Sequence, residues 1–456
     1  YIRSGETMKM LRGHRGGQLL AVGQIIALSM ATPSLATAQT ADHGAQAEGG
    51  ILEVVVTAQR REEKLQNVPI AVTAVAAEQL ELANVTSAFD VGKVASGIVF
   101  QQSTGTATTF IRGMGNNQLT VGNEASNSLY IDGVYHARIS PALMRFENVD
   151  RIEILKGPQG TLFGRNATGG LINIVTSNPQ PGEAPELKAT VGYGKYESTE
   201  ASLYGSTSLT DRSAVNLSVL YTDQNDGWGK NILTGKQAYT ERNFAARAKY
   251  VFELSDATKF TLAADVNDTN STIGLLNNFV GKDPAPAGFG DGSGYLPELD
   301  SRYDKNSNLE DIANTNGYGG YARLEQELSW ANLVATAALH NERIDYHNDI
   351  DKSPLTFFHF KEDNTKADQY SGELQLFSKN QEGLTWTTGA FFLKQEYGFP
   401  TPARIYGDAF GPGVTVRVGD LGETTSYALY AQTSFDILPR LRGTLGGRIN
   451  RDEIDA

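Results

Sequence analysis

Residues 148–176 read NVDRIEILKGPQGTLFGRNATGGLINIVT, and this stretch decides the fold. Two apolar, strand-like runs, Arg151 to Leu155 and Leu171 to Val175, flank a segment carrying Gly157, Pro158, Gly160, Gly164, Gly169 and Gly170. Such glycine density excludes an ordinary helix. It predicts backbone held in tight turns and packed close against other backbone, because glycine alone adopts positive φ without steric cost. A nucleotide-binding reading of these glycines fails on its own terms. No Gly-Lys-Ser/Thr follows, and Gly113-Met114-Gly115 lacks the third glycine of a dinucleotide fingerprint.

Upstream stand FIRGMG at 110–115 and LYIDGVY at 129–135, each a short β-type run punctuated by glycine. In this order and spacing the three segments resemble the plug domain of TonB-dependent outer-membrane receptors, over roughly Leu65 to Pro179. The resemblance implies a structural signature at Arg112, Gly113, Gly115, Asp132, Gly133, Arg151, Glu153, Gly157, Pro158, Gly164, Gly169 and Gly170. It also implies that Arg112 and Arg151 pair with carboxylates on the inner wall of a barrel, with Glu253, Glu373 or residues beyond Ala456 as partners. A local salt bridge within the plug is the alternative.

Composition bounds the remaining classes. The chain has 456 residues, a net charge of −13 and no cysteine. Strong acidity argues against a nucleic-acid partner, which needs a basic footprint. Without cysteine there are no thiolate metal sites and no cysteine nucleophile, and an oxidising compartment is weakly favoured. No apolar run reaches the ~18 residues of a membrane helix, so a membrane protein here has to be a β-barrel.

Residues 8–38 read as a secretory signal. Lys9, Arg12, His14 and Arg15 form a basic region, Leu19 to Ala31 an apolar run, and Ala36-Thr37-Ala38 a cleavage site. Tyr1 is not an initiator, so Met8 or Met10 is the expected start. Residues 39–64 form a polar linker containing the β-branched run Leu52, Glu53, Val54, Val55, Val56, Thr57 and Ala58. A short extended segment beside a flexible linker suits β-strand addition, in which main-chain bonds supply affinity. It resembles the TonB box, the energy-coupling peptide of the family, and TonB is the partner this implies. A first strand of the plug is the alternative, compatible with the former if the segment docks when idle. The short stretch before it leaves no room for an extra signalling domain.

From Glu186 onward the pattern alternates with period two. Val215, Leu217, Val219 and Tyr221 oppose Asn216, Ser218 and Thr222, and Tyr427, Leu429, Phe435 and Ile437 oppose Ser426, Gln432, Ser434 and Asp436. About eleven such strands are expected, starting near 186, 198, 213, 242, 257, 317, 332, 365, 384, 425 and 440. Short turns alternate with long loops, notably 270–316, as outer-membrane barrels require. The expected fold is therefore a mixed α/β plug domain at 65–179 followed by an antiparallel transmembrane β-barrel. Plugged barrels have about 22 strands, so 186–456 is read as the N-terminal half of one, truncated.

Ligand contact is expected from plug loops facing outward, with Asn116, Asn117, Gln118, His136 and Arg138 as candidates. His347, Asp349, Asp351 and His359 match no compact metal motif, and neither a metal site nor a cofactor is expected. HExxH and Gly-x-Ser-x-Gly are absent and the six histidines are scattered, so no enzyme is expected. Taken with the resemblance, the sequence implies a monomeric active transporter in the outer membrane, moving a small molecule past membrane lipid. An iron–siderophore chelate is the family's default cargo. Sugar or other organic uptake, or a binding-only surface receptor, is the alternative; a passive porin lacks plug motifs.

Overall fold

The computed structural model describes residues 55–61, 63–83, 85, 87–103, 106–116, 124–138, 148–272, 301, 303–350, 354, 356–380, 383–408, 411, 413–419, 421–438 and 441–455. The signal segment, Leu52 to Val54, Asn117, Gln118 and Asp351 lie outside them. The described residues belong to the compact unit that begins at Glu53.

The first part of this unit is a small mixed domain. Its elements are β1 (Val55–Val56), β2 (Glu63–Lys64), β3 (Val72–Ala76), α1 (Ala77–Leu82), β4 (Ile98–Ser103), β5 (Thr106–Ile111), β6 (Met114–Gly115), β7 (Asn127–Ile131), β8 (Val134–His136), β9 (Val149–Lys156), α2 (Gly160–Phe163) and β10 (Gly170–Thr176). The central sheet runs β3-β9-β10-β7-β8, with β10 and β7 parallel. Both of its faces are covered, which explains the near-continuous apolar runs read from the sequence. Ile152, Ile154, Ile172 and Ile174 pack with Leu80, Val91 and Ile111 on one side. Tyr130, Leu155 and Leu171 pack with Leu162 and Phe163 on the other.

The glycine-rich stretch is the tight return between antiparallel β9 and β10. Gly170 holds φ at +147°, and a Cβ there would sit 2.3 Å from the Leu155 carbonyl oxygen. Gly164, at φ +77°, ends α2. The dipeptides Arg112-Gly113 and Asp132-Gly133 each have two positive φ angles, the conformation of a two-residue hairpin turn that matches strand twist.

The remainder is one antiparallel wall. Its strands are β11 (Glu186–Gly194), β12 (Ser198–Thr210), β13 (Ser213–Gln224), the short pair β14 (Gly229–Lys230) and β15 (Gln237–Ala238), β16 (Glu241–Ser255), β17 (Thr258–Ser271), β18 (Ile312–Glu327), β19 (Ala331–Asp349), β20 (His359–Ser378), β21 (Thr385–Gly398), the short pair β22 (Ala403–Tyr406) and β23 (Thr415–Val418), β24 (Leu421–Leu438) and β25 (Leu441–Asp455). The path β11-β12-β13-β16-β17-β18-β19-β20-β21-β24-β25 joins each long strand to the next. The long strands begin within a few residues of the positions read from alternation.

The wall is inside-out relative to a soluble sheet. Leu217 and Tyr221 are exposed while Asn216 and Ser218, on either side of Leu217, are buried. Phe244, Leu262, Leu429 and Ile449 continue the exposed apolar face, and Arg247, Lys249, His340 and Gln369 the buried polar one. Trp330 and Trp386 stack at 6.0 Å near the short turns, where an aromatic girdle meets the membrane interface. The polar face meets the plug. The sequence did not anticipate the short pairs β14–β15 and β22–β23, which lie inside long loops.

Candidate functional site

The β1 segment is folded into the plug and against the wall. β1 pairs antiparallel with β2, Val55 opposite Lys64 and Val56 opposite Glu63. Val56 and Ala58 are fully buried, in a cluster shared with Tyr130, Leu155, Phe163 and two wall residues, Leu393 and Tyr430. Val55, in contrast, is 41% exposed.

Between them Thr57 is held by a buried carboxylate. Its N–H donates to Glu153 Oε1 at 2.9 Å and its hydroxyl to Oε2 at 2.8 Å. Arg151 Nε donates to Oε1 at 2.8 Å, and Asn173 Nδ2 reaches both Thr57 Oγ1 and Oε2. Glu153 has no exposed surface, and a buried charge survives only when paired and hydrogen-bonded. Here its partners converge on one residue of the β1 segment.

Arg60 completes the attachment. It adopts φ +63°, which turns the chain back toward β2 and aims the guanidinium at the wall. The group lies over the Tyr130 and Phe163 rings at 4.7 and 4.3 Å and 3.3 Å from Glu373 of β20. Tyr430 donates its hydroxyl to the other Glu373 oxygen at 2.8 Å. Burial pushes the Tyr130 phenol up to about 12, opposed by the Arg60 charge, so the phenol remains a donor, here to the Phe163 carbonyl at 2.8 Å.

A second anchor lies at the β7–β8 turn. Lys249 of β16 reaches Asp132 Oδ2 at 3.0 Å and donates to the Thr176 carbonyl and Asn178 Oδ1, both at 2.9 Å. Arg323 of β18 donates to the Asp132 carbonyl. Burial by itself raises the Asp132 carboxyl, but the Lys249 and Arg247 charges and the Thr176 N–H outweigh it and hold it below the usual range. Beyond the turn, Gln369 of β20 accepts from Ala137 N at 3.0 Å and donates to the Tyr135 carbonyl at 2.6 Å. This side-chain amide extends the β8 edge onto the wall.

The two plug arginines differ, and Arg151 follows the local alternative. Arg151 pairs with Asp150 and Glu153 inside the plug, not with the wall, because its strand neighbour Glu153 is the nearer carboxylate. Arg112 is exposed at its turn, and no ion pair from it to the wall occurs among the described residues. Glu373 does receive a plug cation, but that cation is Arg60. Glu253 sits near a short turn, opposite Lys259 in register.

The candidate ligand residues are dispersed. Asn116 donates to the Glu124 carbonyl at 3.1 Å. His136 packs edge-on against His340 of β19, and Arg138 is buried over Tyr397 of β21 at 3.3 Å. Both therefore face the wall instead of open solvent. His347 contacts Asp363 and His359 contacts Asn308, so these histidines, at the ends of β19 and β20, have separate partners. Among the described residues no three His, Cys, Asp or Glu side chains converge as metal ligands.

The family model described as "TonB-dependent Receptor Plug Domain" matches residues 64–171. The vitamin B12 transporter BtuB of Vibrio vulnificus is 33% identical over 149 residues, which is 30% of this chain and 23% of that protein. The pesticin receptor of Yersinia enterocolitica is 34% identical over 149 residues, 32% of this chain and 21% of that protein. The match thus spans about a quarter of those relatives' length. Among solved structures, the ferric yersiniabactin uptake receptor FyuA of Yersinia pestis superposes with a TM-score of 0.66 at 17% identity, covering 84% of this chain and 61% of that one. The ferric-catecholate import receptor Fiu of E. coli gives 0.65 at 18% identity, covering 86% and 61%. These likenesses establish the plugged-barrel fold, of which this chain carries about half the wall.

Proposed function

Because the chain belongs to the TonB-dependent receptors, outer-membrane proteins of Gram-negative bacteria, we propose that the protein containing it is an energy-coupled importer. In this reading Leu52 to Ala58 is the segment that TonB engages. The observation that carries it is the docking of Thr57 on Glu153, with Val56 and Ala58 in a core shared by plug and wall. Exposed Val55 leaves a strand end open to pairing. Tension applied there acts on the two-pair β1–β2 ladder first, then on Thr57 and Arg60.

The proposed chemistry is conformational and not enzymatic. The protein binds a preformed small molecule, and work done through β1 displaces part of the plug from the wall. The favoured cargo is a ferric siderophore: the solved receptors FyuA and Fiu are named for ferric yersiniabactin and ferric catecholates. A corrinoid is the second reading, because one of the matched curated relatives is a vitamin B12 transporter. Both are complexes whose metal is already coordinated, so the carrier has no need of a metal site of its own. Uptake of ferric siderophores and of cobalamin by a receptor-deficient host expressing the full-length gene separates the two. Transport of neither class would overturn the metal-complex reading and leave sugars or other organics.

A further inference from the structure

The contact between His136 of the plug and His340 of the wall is unlike the other anchors. Its rings meet edge-on with centroids 5.2 Å apart. His136 Nδ1 and both ring nitrogens of His340 are buried without a hydrogen-bond partner among the described residues. The wall makes room for this pair: a Cβ on Gly319, opposite His340 in register, would lie 2.7 Å from His340 Nδ1. The pair also sits beside a backbone attachment of the plug, the two bonds from Gln369 to Tyr135 and Ala137.

The charged surroundings decide what a proton does here. From β16 comes Arg247, which contacts Asp265 of β17 at 3.4 Å. His340 of β19 is also influenced by Asp368 of β20, and His136 by Asp132 of its own hairpin. Arg138 and Glu342 are further charges of the same seam. Asp132 is engaged by Lys249, whereas Asp265 meets Arg247 through one oxygen and keeps the other without a hydrogen bond among the described residues, so it offsets only part of a new charge on the paired imidazoles. Two protonated rings in contact would repel each other and Arg247.

We propose that the His136–His340 contact is a proton-responsive latch: neutral rings keep the β7–β8 hairpin seated on the wall, and mild acid unseats it. Imidazole is the one side chain whose ordinary titration falls between about pH 5 and 8. Burial first, then His340 and Arg247, push His136 well below its ordinary value in the docked plug. The undocked ring takes up a proton more readily, so docking is fully stable above about pH 6.5 and weakens as pH falls below it. The Asp132–Lys249 anchor does not respond in this window, because its carboxyl titrates lower still.

The test is hydrogen exchange of hairpin amides 127–136 in the full-length protein in lipid nanodiscs, at about pH 7.5 and about pH 5, corrected for intrinsic exchange. Protection in the native protein should fall by about tenfold or more on acidification. The pair His136→Asn with His340→Asn should abolish that difference, and His340→Lys should reduce protection already at the higher pH. Equal protection at both pH values in the native protein, or an unchanged pH response in the double Asn variant, overturns the latch. The proposal rests on the plug being the moving part, but either outcome leaves uptake at neutral pH as a separate measurement.

Discussion

The Arg60 guanidinium lies 3.3 Å from the Glu373 carboxylate, joining the chain two residues beyond Ala58 to wall strand β20. Both side chains are largely buried, at 7% and 11% exposure, so the pair is shielded from the screening that makes surface bridges weak. Any movement of β1 that extends past Ala58 has to break it.

A double-mutant cycle of Arg60→Gln and Glu373→Gln should therefore show a coupling of about 1–3 kcal/mol. The measurement is protease sensitivity at β1 in the purified full-length protein. Each single variant should free the segment nearly as much as the double.

Glu153→Ala removes the carboxylate that Thr57, Arg151 and Asn173 share, stranding buried donors at a cost of about 3–5 kcal/mol in plug stability. Glu153→Gln keeps the shape but loses the charge facing Arg151, and should cost less. Denaturant unfolding followed on the plug ranks the two.

Lys249→Met leaves Asp132 buried opposite an apolar side chain and should destabilise plug docking by about 3–5 kcal/mol; adding Asp132→Asn should recover much of the loss. The pH dependence has a defined sign. The Asp132 carboxyl is held low in the docked plug, so this anchor contributes fully above the ordinary aspartate value of about 3.9 and is lost only as pH falls through the depressed one.

Gly170→Ala and Gly157→Ala separate crowding from backbone strain. Both glycines have positive φ, but only Gly170 would drive a Cβ to 2.3 Å from a carbonyl oxygen, whereas Gly157 meets nothing within 4 Å. The Gly157 variant should lose about 1–3 kcal/mol. The Gly170 variant should lose more, about 3–5 kcal/mol, because crowding adds to strain.

Much of this architecture was legible because membrane strands advertise themselves. Leu217 and Tyr221 face outward and Asn216 and Ser218 inward, and period-two alternation records that difference in unlike surroundings. The plug was legible through glycines, several of which hold positive φ. Pairing across the seam was not. Nothing in the sequence near Arg60 distinguishes it from Arg61, which pairs with Glu63, and only the positive φ at Arg60 turns its guanidinium toward Glu373. Arg151 drew attention by motif, yet its partner two residues away needed no wall. His136 and Arg138 were read as outward polar loop residues, whereas the Gln369 contacts draw the end of β8 against the wall. Short pairs such as β22–β23 are too brief to imprint a period.

The central claim is that force enters through the β1 segment, and Val55→Pro tests it most directly. Val55 is exposed, so the change spares the core while removing one backbone donor from strand pairing. Uptake of a transported ferric siderophore should be lost in the variant at unchanged outer-membrane abundance and unchanged ligand binding. Uptake equal to the native protein would contradict the coupling role of this segment and leave a receptor that only binds.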